Sequence, residues 1–163
     1  MMIASFSFSV IALVESMYLL QNSFVDLSER GLFFCKGSRD CHTGWYIYDA
    51  SVKLKENGVL FEHCCNYISF SCCHNAGCDE ELIRIKHYKF MNKINEIKEG
   101  LTNNGPLVTR MNVYQDFYEY TYGIYTKKSS NYRGAHSVLI LGFDDHHKYW
   151  ICKNSWGSHW GEN

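Results

Sequence analysis

The sequence has one proline, no lysine or arginine before Arg30, no C-x-x-C pair and no long uninterrupted apolar run. Each omission closes a function class. With so little proline and 16% aromatic residues, the chain does not have the composition of a disordered segment. Sixteen basic against seventeen acidic side chains give a net charge of -1, so the overall balance carries no electrostatic footprint for nucleic acid. A membrane-spanning helix needs about 20 mostly apolar residues. Phe6 to Val14 offers nine, two of them serines, and Glu15 follows at once. A signal peptide fits that run by length, but the basic flank and a small-x-small cleavage site are missing.

The opening stretch has helical periodicity instead. Ile3, Phe6, Val10, Leu13, Met17 and Leu20 recur at spacings of three and four, and Ser5, Ser9, Ala12 and Ser16 form a second stripe of small residues. With Phe8, Ile11 and Tyr18 on the remaining side, this predicts a helix over Ser5 to Leu20 that is buried on most faces. Further helices are expected after Leu27, over Tyr46 to Asn57 and over Asn92 to Asn103, with strands following.

From Arg133 the chain runs RGAHSVLILGFDDHHKYWICKNSWGSHWGEN, two β-rich segments around the polar turn Asp144 to Lys148. A hairpin centred near Asp145 sets His136 opposite Asn154, on one face and with Cβ atoms about 5 Å apart. An amide oxygen that accepts from one imidazole nitrogen fixes the tautomer and leaves the other nitrogen as a base. Such a pair is also common as plain structure. His146 and His147 read as solvated turn residues, and Cys152 as a buried thiol.

These residues carry a resemblance. AHSVLILGF followed by KNSWGSHWGEN is similar to the His and Asn blocks of papain-like cysteine peptidases. Laying FSVIALVE on that family's central-helix motif puts Ser5 at the position of the nucleophilic cysteine. In the family the His and Asn lie about 130 to 150 residues downstream of the nucleophile. The gaps from Ser5 are 131 to His136 and 149 to Asn154. VDLSERGLFFC, DCHTGW and NNGPLVTRMNVYQDFYEYTYGIY match further blocks in order.

The resemblance implies an α+β fold of two lobes, residues 1–91 helical and 92–163 an antiparallel β-barrel-like lobe, each lacking its outer end. It implies Ser5, His136 and Asn154 as catalytic residues, Gly44 pairing with an extended peptide substrate, Trp156 shielding the His-Asn hydrogen bond and Trp160 lining the leaving-group side. It further implies a monomer that uses no cofactor or metal, takes peptide or protein substrates and papain-family inhibitors, and works outside the cell or in a lysosome- or vacuole-like compartment.

A serine hydroxyl does not form the thiolate-imidazolium pair on which that chemistry rests. The family's oxyanion glutamine has no counterpart among the four residues before Ser5. The expected activity is therefore an impaired or absent cysteine-type endopeptidase. A non-catalytic peptide- or inhibitor-binding pseudoenzyme and a secreted, disulfide-rich structural protein are the alternatives.

Eight cysteines suggest an oxidising compartment or a metal site. By the resemblance Cys35 pairs with Cys72 or Cys73, and Cys64, Cys65 and Cys78 form an extra local cluster. The rival reading takes His63, His74 and this cysteine group as a zinc site. The lack of a C-x-x-C pair argues against it.

Overall fold

The computed structural model describes residues 5–35, 45–68, 78 and 81–162. Helix α1, Ser5–Leu19, opens them and packs on α2 (Glu29–Phe34), on α3 (Ile47–Glu56) and on the later strand β2. Two of its serines are satisfied within the helix. Ser9 Oγ donates to the Ser5 carbonyl at 3.0 Å, and Ser16 Oγ to that of Ala12 at 2.6 Å. Back-bonding of this kind lets a polar residue sit inside an apolar helix, so the small-residue stripe admits close neighbours without orphaned hydroxyls.

Ser28 caps α2, accepting from the Gly31 N–H at 2.9 Å and donating to the Cys65 carbonyl. Val10, Ile11, Val14, Leu27, Leu32, Phe33, Trp45, Ala50, Leu54 and Val59 make one buried cluster beneath these helices. Extended segments cross it through isolated antiparallel bridges, Leu27 to Phe61 and Val59 to Ile83.

After α4 (Ile94–Asn104), Gly105 at φ 105° and Pro106 stop the helix and turn the chain into β1 (Leu107–Tyr114). A short 3-10 helix, Gln115–Glu119, leads to β2 (Tyr132–Asp144) and β3 (Tyr149–Lys153). The strands form an antiparallel sheet in the order β1-β2-β3. The four expected helices all occur, with ends shifted by at most two residues.

The hairpin register differs from the expected one. Asp144 pairs with Tyr149 and Ile140 with Cys152, so the turn is centred between His146 and His147. The cause is local. Asp144 Oδ1 accepts from the His146 and His147 backbone N–H groups at 2.8 Å each, and Lys148 takes φ 61°, which lengthens the turn by the residues needed to satisfy both donors. Continued from Ile140 and Cys152, this register places Trp156, not Asn154, opposite His136. Cys152 is exposed rather than buried, because β3 is the outer strand of the described sheet and its flanking residues Ile151 and Lys153 are uncovered too.

Candidate active site

Ser5 is the first residue of α1 and is 2% exposed. Its Oγ accepts a hydrogen bond from the backbone N–H of Ser137 at 3.2 Å. The start of the helix is thereby tied to the strand residue next to His136. A helix N-terminus carries about half a positive charge, which favours negative charge developing at its first turn.

His136, in β2 opposite Met111 of β1, is wholly buried. Its Nε2 lies 2.7 Å from Asn154 Oδ1. An amide oxygen only accepts, so Nε2 carries the proton and the neutral ring keeps its lone pair on Nδ1. That Nδ1 is buried and finds no hydrogen-bond partner among the described residues. Burial pulls the imidazole below its ordinary range, and the Asn154 hydrogen bond opposes this in part. The neutral form of the ring is accordingly favoured near pH 7.

Asn154 lies one residue past the end of β3, so the two side chains do not meet as a cross-strand pair. The chain turns after Lys153, and Asn154 Oδ1 also accepts from the Ser155 N–H at 2.8 Å, which holds the amide in place. Past that turn Trp156 lies beside the imidazole, its ring 4.9 Å from that of His136. Trp156 in turn stacks on Tyr118 at 5.0 Å and 7°, and touches Phe117 and Trp160. Trp160 is anchored by its Nε1–H, which donates to the Phe117 carbonyl at 3.0 Å. Sequence reasoning finds Trp156 and Trp160 but misses Tyr118, although it lies in the QDFYEYTYGIY block, because nothing in that block tells which ring stacks on which.

Nearly the whole chain, residues 4–163, matches the model of the papain family of cysteine proteases. The chain belongs to this family. It is 29% identical to fruit bromelain of Ananas comosus and 31% identical to a viral cathepsin of Cydia pomonella granulosis virus. Each alignment covers 96% of this chain but only 46% and 48% of the relative, so the chain spans about half the length of these curated proteins.

Among solved structures it is similar to digestive procathepsin L 3 of the Tenebrio molitor larval midgut, at a TM-score of 0.75 and 27% identity, over 98% of this chain and 55% of that one. It is also similar to procathepsin B S9 of Trypanosoma congolense, at a TM-score of 0.79 and 21% identity, over 97% and 60%. The fold is therefore the papain-like α+β fold.

Gly44, Cys72 and Cys73 lie outside the described residues. Cys35 is buried. Cys64 and Cys78 form a disulfide with Cα atoms 5.6 Å apart, and Cys65 is disulfide-bonded as well. The nearby His63 has a nitrogen within 4.8 Å of the Cys64 and Cys78 sulfurs. Zinc ligation would need those sulfurs as thiolates, and they are bonded to each other instead.

Proposed function

We propose that this chain carries a papain-type peptidase site in which Ser5 stands at the nucleophile position, His136 is the base and Asn154 orients it, with hydrolysis weak for want of a thiol. The observation that supports this reading is the state of His136: Nε2 is held by Asn154, while the buried Nδ1 is left without a partner among the described residues, next to the strand residue that binds Ser5. As Ser5 Oγ attacks a peptide carbonyl carbon, its proton passes to His136 Nδ1, and the Asn154 oxygen stabilises the imidazolium. The same proton then goes to the departing amine. Water, deprotonated by His136, afterwards releases the acyl group from Ser5 and restores its hydroxyl.

A hydroxyl needs this concerted proton removal, whereas a thiol is ionised beforehand. A neutral imidazole with Nδ1 open can take the proton in either case, and with a thiol that transfer itself makes the cation of the ion pair. Substrates are extended peptides lying between the helical lobe, residues 1–91, and the sheet lobe, residues 92–163, with Gly44, Trp156 and Trp160 along the cleft. The compartment is extracellular or lysosome-like. Thiol-dependent cleavage of an unstructured peptide by the Ser5→Cys protein, abolished by His136→Ala, is the expected result. A Ser5→Cys protein that folds and binds peptide without cutting it would favour the binding-module alternative.

A further inference from the structure

One face of the sheet meets the helices. Residues alternate sides along a strand, and Val108 of β1 packs on the helical core while Leu139, its partner in β2, is buried beside it. Two residues further along β1, the same face carries Arg110 opposite Ser137. Ser137 is 1% exposed and gives its N–H to Ser5 Oγ at 3.2 Å, whereas Arg110 is exposed. Sheet and helices therefore part between Val108 and Arg110, and the arginine stands on the rim of that parting. Directly opposed residues have Cβ atoms about 5 Å apart. The stem of the arginine is thus a neighbour of the strand residue that holds the Ser5 hydroxyl.

Nothing nearby on the sheet neutralises this cation. Arg110 is the one charged residue of β1, it makes no ion pair among the described residues, and β2 has no acid before Asp144. Asn112, next on the same face, is exposed and opposite the small Ala135, so the neighbouring position is neutral and open. The N-terminal end of α1 adds positive potential at Ser5. His136 projects from the other face of β2, with the Trp156 ring beside it, so Arg110 and Trp156 lie on opposite sides of the Ser5 position.

We propose that Arg110 is a specificity-determining residue: it selects peptides with an acidic side chain on the acyl side of the scissile bond, within two residues of it. The planar guanidinium is charged at any working pH and matches a carboxylate with two parallel N–H donors. A neutral side chain would leave that fork unused, and a lysine or arginine would be repelled by it. The acyl side follows from Trp156 and Trp160, which line the leaving-group side and touch each other across from Arg110. The choice of side and of the bond that is cut rests on the peptidase reading of Ser5 and His136. The preference for an acidic peptide over a neutral one does not.

The test uses labelled, unstructured peptides that are identical but for a single Glu, Gln or Lys at one of two adjacent positions. Their binding to the whole chain is read by fluorescence anisotropy, and their cleavage by the Ser5→Cys protein is followed in parallel. Glu should be preferred over Gln by about fivefold at one of the positions, as expected of one favourable exposed ion pair, with Lys the poorest and the preference shrinking as salt is added. Arg110→Gln should bring the Glu-to-Gln ratio close to one, Arg110→Lys should keep part of it, and Arg110→Glu should turn the preference toward Lys. Near-ultraviolet circular dichroism checks that each variant folds. Peptide cleavage by Ser5→Cys with no preference for Glu, or with a preference that Arg110→Glu does not invert, overturns this proposal and leaves the peptidase reading standing. Glu-selective binding that Arg110→Gln abolishes, without any cleavage by Ser5→Cys, supports the selection by Arg110 and counts against the peptidase reading alone.

Discussion

Replacing Asn154 with alanine removes the acceptor that holds Nε2–H of a wholly buried histidine at 2.7 Å. A buried donor left unpaired costs about 1 to 3 kcal/mol. Two details place the loss in the lower half of that range. The Asn154 Nδ2 group is already buried without a partner among the described residues, so its removal relieves one unpaired donor. The Ser155 N–H, which also loses its acceptor, belongs to an exposed residue and is taken up by water. Urea denaturation at pH 7 should therefore show a loss of roughly 1 to 2 kcal/mol.

The histidine titration gives the sharper reading. Burial holds His136 below the ordinary 6.5, and the Asn154 hydrogen bond is what opposes that shift. Asn154→Ala should lower the His136 midpoint further in an NMR titration. The sign for stability follows. A folded value below the unfolded one means stability that is present above pH 6.5 and lost as the pH falls through the folded value. In the variant that loss continues to lower pH. An unchanged or raised His136 midpoint would refute the assignment of the Asn154 bond to the imidazole.

Three further outcomes follow from the same structure. Trp156→Ala should raise the His136 midpoint toward 6.5, since it uncovers a ring whose shift comes first from burial, and should cost about 2 kcal/mol for a half-buried indole. Glu29 is pushed up to about 7 by burial and by the neighbouring carboxylates of Glu62, Glu15 and Asp26. Its contribution is present below the ordinary 4.5 and lost as the pH rises through about 7, so Glu29→Gln should flatten the thermal stability profile across that window, by roughly 1 kcal/mol after allowance for solvent screening. Removing the Cys64–Cys78 bridge with two serines, which opens a 14-residue separation, should lower unfolding free energy by about 3 kcal/mol.

The helices are legible in the sequence because burial and periodicity coincide: α1 carries apolar residues on nearly every side, and Ser9 and Ser16 bond back to the helix instead of marking a polar face. The His136–Asn154 pair is legible in spacing but not in geometry. Its contact does not come from strand register, which the doubly accepting Asp144 carboxylate shifts, but from the chain turning after β3. The exposure of Cys152 is hidden for a related reason. Its apolar neighbours suggest burial, yet sequence alone does not say which face of an outer strand is covered.

The central claim is that position 5, at the start of α1 and beside the strand that carries His136, is the nucleophile position of a papain-type site. The most direct measurement is ultraviolet thiolate absorbance of the Ser5→Cys protein as a function of pH, taken as a difference from the parent. An ordinary thiol, with a pKa of about 8.5, holds roughly 0.3% thiolate at pH 6. Facing a helix N-terminus and an imidazole able to take its proton, the introduced thiol should remain largely thiolate below pH 6, and His136→Ala in the same protein should send its titration back above neutrality. An introduced thiol that titrates in the ordinary range or higher, and does so equally with and without His136, would contradict the account.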